Sequence, residues 1–165
     1  MSSQGASMSS PSSSSTPYEV FLSFRGVDTR RGFTDHLYAA LQRKGILTFR
    51  DDEELERGKS ISPELLKAIE ESRFAIVIFS RNYAFSTWCL VELAHIVKCM
   101  RERKLTIWPI FYDVDPSDVR KQTGTFGQAF NDHEKRFKDN IKTVKMWRAA
   151  LREVANLSGW HLQDR

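Results

Sequence analysis

From Tyr18 onward, short apolar runs alternate with longer segments in which apolar residues recur every three or four positions. The first pattern reads as buried strand and the second as amphipathic helix. Val20-Phe21-Leu22-Ser23-Phe24 predicts a strand stopped at Arg25-Gly26, and Ile46 to Arg50 predicts a second. Phe74 to Phe79 is apolar on both faces, so it belongs in the middle of a sheet covered on each side. Leu105 to Val114 gives a fourth strand, and Gly159 to Leu162 a short fifth. Between them, Thr29 to Lys44 carries Phe33, Leu37, Tyr38 and Leu41 at helical spacing, with Gly45 as the stop. Ser62 caps a helix through Glu71 that has Pro63 in its first turn. Ser86 to Arg103 is a long helix, followed by shorter helical pieces at Pro116–Arg120, Phe126–Phe137 and Val144–Leu157.

Strands alternating with helices call for a parallel sheet with helices on both faces. Right-handed crossovers then favour an α/β, flavodoxin-like sheet of five strands in order 2-1-3-4-5. One residue conflicts with this. Pro109 lies inside the fourth strand, where a central position would lose a ladder donor, so a bulge or a local edge is expected there.

Composition narrows the class. The 165 residues fit one domain. The first 17 hold no charged residue and nine serines, which predicts a disordered leader at 1–17 and a domain over 18–163. That leader has neither the apolar core nor the cationic start of a signal peptide, and its glycine is at position 5 rather than 2, which argues against myristoylation. A net charge of +4, from 25 basic and 21 acidic side chains, excludes a disordered polyelectrolyte. It is too small and too local to argue for nucleic acid. Cys89 and Cys99 fall in one helix, roughly 15 Å apart along its axis, too far for a mutual disulfide. Reduced thiols point to an intracellular compartment, and no apolar run is long enough to span a membrane as a helix.

Several motifs fail on inspection. Gly58-Lys59-Ser60 ends like a phosphate-binding loop, but Glu53 stands where its first glycine is needed. Asp51-Asp52 resembles the acidic pair of a phosphoacceptor domain, yet it follows the second strand, and the third strand ends in Phe79-Ser80 rather than aspartate. His36, His95, His133 and His161 form no metal-ligand spacing. What remains is the crevice at the carboxyl ends of strands one and three, where open α/β sheets bind ligands. The segments there are Phe24 to Arg30, the loop from Asp51 to Ser62, and Ser80 to Glu92. Trp88 and Glu92 are i and i+4, so ring and carboxylate share one helix face. That carboxylate is expected either to be stabilised by the helix N-terminus or paired with a first-loop arginine, or to serve a ligand with phosphate and ring.

Four segments, in order, resemble the signatures of plant Toll/interleukin-1 receptor (TIR) domains. They are FLSFRGVDTRRGFTDHLYAAL, TFRDDEELERGKSISPELLKAIEES, FAIVIFSRNYAFSTWCLVEL and IWPIFYDVDPSDVRKQTGTFGQAF, and the resemblance runs from Tyr18 to Leu162. It implies the flavodoxin-like fold and the N-terminal signalling module of plant intracellular immune receptors with leucine-rich repeats. It also implies NAD⁺, or alternatively NADP⁺, as a substrate cleaved at the nicotinamide–ribose bond, with no prosthetic group. The family's catalytic glutamate matches Glu92. Substrate binding would fall to Arg25, Gly26, Val27, Asp28, Thr29 and Arg30, to Gly58 and Lys59, and to Ser86 and Trp88. Partners would be further copies of the chain and other TIR domains. Self-association would use Asp35 and His36, where the family often has Ser-His, and Gly127. The implied outcome is immune signalling and cell death from the cytoplasm, with the nucleus as a second location. The fate of the ADP-ribose (hydrolysed, cyclised or transferred) stays open. Two rivals stand beside this: a non-catalytic adaptor that only docks TIR domains, and nucleic-acid binding by the basic stretch from Lys135 to Arg152.

Overall fold

The computed structural model describes residues 18–50 and 62–162, with Arg30 and Arg31 described by their backbone alone. Five parallel strands form one sheet: β1 (Val20–Ser23), β2 (Thr48–Arg50), β3 (Phe74–Phe79), β4 (Thr106–Tyr112) and β5 (Trp160–Leu162), in spatial order β2-β1-β3-β4-β5. This is the 2-1-3-4-5 order expected from the crossover rule. The helices are α1 (Gly26–Thr29), α2 (Asp35–Arg43), α3 (Pro63–Glu71), α4 (Thr87–Arg103), α5 (Pro116–Lys121), α6 (Thr125–Arg136) and α7 (Ile141–Ala155).

Side-chain alternation divides the core in two. Val20, Leu22, Ile76, Ile78 and Ile110 face Phe33, Leu37, Tyr38 and Leu41 around α2. Phe21, Ala75, Val77, Phe79 and Phe111 face the other way, against buried residues of α3 to α7. β3 meets both cores and is buried along almost its whole length, as its unbroken apolar run requires. Each fully buried Phe or Leu contributes about 1.5–3 kcal/mol.

Local signals account for most boundaries. Ser62 Oγ accepts from the Leu65 amide at 3.2 Å, and Pro63 opens α3. At the end of α2, Gly45 takes φ +76°, and the Gly45 and Ile46 amides bond Gln42 O and Leu41 O at 2.9 and 3.0 Å. That is a Schellman stop. The first helix departs from expectation. The chain turns helical at Gly26, three residues earlier than Thr29, and widens into a π-helical stretch over Arg30–Thr34 before α2. Thr29 and Thr34, five apart and both buried, bond each other through their hydroxyls at 2.7 Å across this wide turn. Two inward hydroxyls satisfying each other are a reason for the extra residue per turn.

Pro109 resolves as a local edge rather than a bulge. β3 and β4 stay in unbroken register from Phe74↔Thr106 to Phe79↔Phe111, while β5 pairs only with Ile110, Phe111 and Tyr112. Pro109 therefore stands just before β5 begins, where its missing N–H costs no ladder bond. Its carbonyl lies so close to Gly159 that a Cβ there would sit 2.2 Å from it, so only glycine lets the chain enter β5.

Candidate functional site

The chain leaves β1 through α2 for β2 on one side and leaves β3 through α4 for β4 on the other. The crevice between the carboxyl ends of β1 and β3 is the topological switch point. Ser86 caps α4 there, its hydroxyl accepting from the Cys89 amide at 3.1 Å. The cap sets the start of the helix, and Glu92 follows in its second turn, only 3% exposed.

Both carboxylate oxygens meet donors. Ser23 Oγ, at the end of β1, donates to Oε1 at 2.9 Å, and the Trp88 indole Nε1–H donates to Oε2 at 2.7 Å. The shared face of Trp88 and Glu92 is thus a direct bond, and the indole acts as a donor rather than only as a stacking surface. Ser23 has a further partner: the Tyr83 hydroxyl lies 2.8 Å from its Oγ and 3.3 Å from the Cys89 carbonyl. Because the Ser23 proton goes to Glu92, the Tyr83 proton is free to go to Ser23. The chain of bonds runs Tyr83 → Ser23 → Glu92. Tyr83 and Ser23 are each 0% exposed.

Burial first, and then the neighbouring Cys89 and Glu92, hold the Tyr83 phenol well above its ordinary range, so it stays a protonated donor. Burial, followed by the Glu92 charge, likewise pushes the Cys89 thiol up. Cys89 donates to the Phe24 carbonyl at 3.4 Å. A buried, neutral thiol in this position is no nucleophile.

The first loop is held by its own acid. Asp28 accepts from Ser80 Oγ (2.6 Å), the Asn82 amide (2.9 Å) and Asn82 Nδ2 (3.0 Å), tying α1 to the turn after β3. Thr29 points inward to Thr34, so any contact it makes with a ligand would come from its backbone. Gly26 opens α1 and is half-buried, and Val27 is exposed. Arg25 lies near enough to lower the Cys89 pKa against the upward effects, and its buried Nε has no hydrogen-bond partner. An orphan buried guanidinium N–H in the first loop is unusual and suits an anionic group of a ligand. Arg30 is described only by its backbone, in the π-helical stretch. Gly58 and Lys59, like Asp51 and Asp52, lie outside the described residues.

The residues assigned to self-association fall elsewhere. Asp35 accepts from Arg50 Nη1 at 2.6 Å, and His36, exposed on α2, reaches the Gly32 carbonyl through Nδ1 at 2.9 Å. Gly127 is packed within the chain: a Cβ there would lie 2.7 Å from the Gln122 carbonyl. Sequence reasoning missed Ser23, Tyr83, Ser80 and Asn82. Ser23 left a trace, as the one polar residue in an otherwise apolar strand that ends at the crevice. The other three lie in the Ser80–Glu92 segment placed at the crevice but were not singled out, because their partners are distant in sequence.

Residues 17–165 match the family model described as TIR domain. The chain belongs to the TIR domain family. This TIR domain is 58% identical over 166 residues to disease resistance protein RPV1 of Vitis rotundifolia, covering 96% of the chain and 12% of that protein. It is 58% identical over 151 residues to the TMV resistance protein N of Nicotiana glutinosa, covering 92% of the chain and 13% of that protein. The chain thus spans about an eighth of the length of these relatives. Among solved structures, the TIR domains of the activated Roq1 resistosome, which directly recognises the pathogen effector XopQ, superpose with a TM-score of 0.81 at 57% identity. The match covers 87% of each chain. Among the described residues no helix is long and apolar enough to cross a membrane, and Cys89 and Cys99 are both free and buried.

Proposed function

We propose that this TIR domain cleaves NAD⁺ at the nicotinamide–ribose bond when copies of it assemble, and that the reaction signals in plant intracellular immunity and cell death. The observation that carries the reading is Glu92, a carboxylate buried at the switch point with each oxygen held by a donor, in a fold whose first loop also carries the unpartnered Nε of Arg25. The disease-resistance relatives and the assembled Roq1 domains support the biological setting and the dependence on assembly.

One carboxylate suffices for this chemistry. Ordinary glycosidases use two because an acid must protonate the leaving oxygen. Nicotinamide leaves as a neutral molecule from a pyridinium, so no general acid is needed. Glu92 would stabilise the ribosyl cation as it develops, or hold the ribose hydroxyls in place. Unit charges about 4 Å apart interact by about 4 kcal/mol at an effective dielectric near 20, which corresponds to about a thousandfold in rate. The Arg25 guanidinium and first-loop amides would hold phosphate. Glu92 is nearly inaccessible beneath Trp88, so ribose reaches it only after the indole turns away, a rearrangement that assembly would supply.

The same burial favours the rival reading, a domain that only docks other TIR domains. Nicotinamide release decides between them. The purified protein, concentrated or held on a crowding support, is incubated with NAD⁺ and sampled by chromatography. Release should fall about a thousandfold in Glu92→Gln. Absence of release by the wild type, or equal release by Glu92→Ala, would reject catalysis and leave docking.

A further inference from the structure

Ser23 and Tyr83 each bury a hydroxyl where the surrounding packing is apolar. Ser23 ends a strand whose other three residues are apolar and buried, on the same side of the sheet as Phe21. Tyr83 sits between Phe79 and the start of α4, its ring edge-on to Phe79 at 5.2 Å. Alanine and phenylalanine at these positions would keep the apolar packing and avoid burying polar atoms. What the hydroxyls share is a line of bonds ending on Glu92 Oε1, from Tyr83 to Ser23 at 2.8 Å and from Ser23 to the carboxylate at 2.9 Å.

We propose that Ser23 and Tyr83 are positioning residues that fix the carboxylate of Glu92 for the reaction. The inference rests on the proposed role of Glu92 as the catalytic carboxylate. Trp88 secures Oε2 from the solvent side, and its indole must move for ribose to enter. Oε1 then becomes the anchor that keeps the side chain in one rotamer while the other oxygen meets the substrate. Ser23 supplies that anchor from a strand, the most rigid kind of support, and Tyr83 orients the Ser23 hydroxyl by donating to it. Tyr83 acts only through Ser23. Neither residue reaches the crevice, since both are 0% exposed. Losing them should therefore misplace the carboxylate during the chemical step and leave ground-state binding by the first loop unchanged.

The test combines kinetics with a measurement that needs no turnover. In the assembled wild-type background, Ser23→Ala should lower kcat about tenfold with KM unchanged, Ser23→Thr should restore most of it, and Tyr83→Phe should lower kcat about threefold. The Ser23→Ala/Tyr83→Phe double variant should be no slower than Ser23→Ala, because the second residue works through the first. Multiplying effects, or a change confined to KM, would overturn the proposal. Independently, the Trp88 indole N–H resonance, assigned with Trp88→Phe, reports where Glu92 sits. It should shift in Ser23→Ala and by a smaller amount in Tyr83→Phe. An unmoved resonance in Ser23→Ala would overturn the positioning role whatever the kinetics. A wild type that releases no nicotinamide would reject the proposed function, and the resonance would still decide whether these hydroxyls place the carboxylate.

Discussion

The hydrogen-bond chain makes the two conventional substitutions of Glu92 unequal in stability, and the inequality can be worked out donor by donor. In Glu92→Gln the Trp88 indole, which can only donate, must face the new amide oxygen. The amide NH₂ then faces Ser23. The Ser23 hydroxyl can rotate to accept it and pass its own proton to the Tyr83 oxygen, 2.8 Å away. The Tyr83 proton in turn goes to the Cys89 carbonyl at 3.3 Å. Both bonds in the chain reverse, and Trp88, Ser23 and Tyr83 each keep a partner. The variant should unfold within about 1 kcal/mol of wild type, since bonds to a charged acceptor are lost while a buried charge is removed. Glu92→Ala cannot do this. It leaves the fully buried Ser23 without its acceptor, at about 1–3 kcal/mol, and opens a void in place of the removed atoms. The total is about 2–4 kcal/mol.

The reversal has one requirement, the Tyr83 oxygen. Tyr83→Phe alone removes a donor that Ser23 does not need in order to bond Glu92, and should cost about 1 kcal/mol. Combined with Glu92→Gln, it strands the Ser23 proton. The double variant should then lose about 1–2 kcal/mol more than the two single losses together. Urea unfolding at 25 °C and neutral pH, with common m-values across the set, measures all four. Equal stability of Glu92→Gln and Glu92→Ala, or additive behaviour of the double variant, would refute the direction assigned to these bonds.

The remaining predictions concern the frame around the site. His133 is 1% exposed and donates from Nε2 to the Ala84 carbonyl at 2.7 Å, pinning the turn after β3 to α6, and burial lowers its pKa below the ordinary value near 6.5. A lowered folded value means that the unfolded chain binds more protons, so this contribution is whole above about pH 6.5 and is lost as pH falls toward the folded pKa. Urea midpoints between pH 7.5 and 5.5 should therefore fall less steeply in His133→Gln, which keeps a donor for Ala84 and cannot titrate; identical slopes would count against the assignment. Gly127→Ala would place a methyl 2.7 Å from the Gln122 carbonyl and should cost about 1–3 kcal/mol. Calorimetry should show this as a fall in Tm of about 2–4 °C per kcal/mol.

How much of this was legible beforehand depends on how far apart the interacting residues lie. β3 was read at its full length because its apolar run is continuous, and the ends of α2 and α3 because Gly45, Ser62 and Pro63 act within a few residues. Pro109 was read as an anomaly of the right kind, but whether bulge or edge depended on where β5 begins, fifty residues later. The early start of the first helix was not legible, since the Thr29–Thr34 bond matters only once both hydroxyls are buried. At the site, Trp88 and Glu92 could be paired from spacing alone. The donor opposite Trp88 could not, because Ser23 and Glu92 are separated by 69 positions and Ser23 and Tyr83 by 60. Asp28 shows the reverse limit. Its acidity in the first loop was legible, yet its three bonds to Ser80 and Asn82 make it the clamp that places Arg25, whatever else it contacts.

These separations explain why the carboxylate sits where it does. Trp88 bonds Glu92 within α4, whereas the bond from Ser23 of β1, oriented by Tyr83 of the turn after β3, forms only when these elements come together at the switch-point crevice. A carboxylate 3% exposed is costly to bury, and donors at both oxygens offset that cost. The apolar cores on the two faces supply surplus stability against that cost. Of the positions assigned to self-association, Gly127 is needed by the single chain for close packing, whereas His36 is exposed and spends only one ring nitrogen on Gly32. Substitution at His36 can therefore report on contacts between copies without disturbing the fold, and substitution at Gly127 cannot.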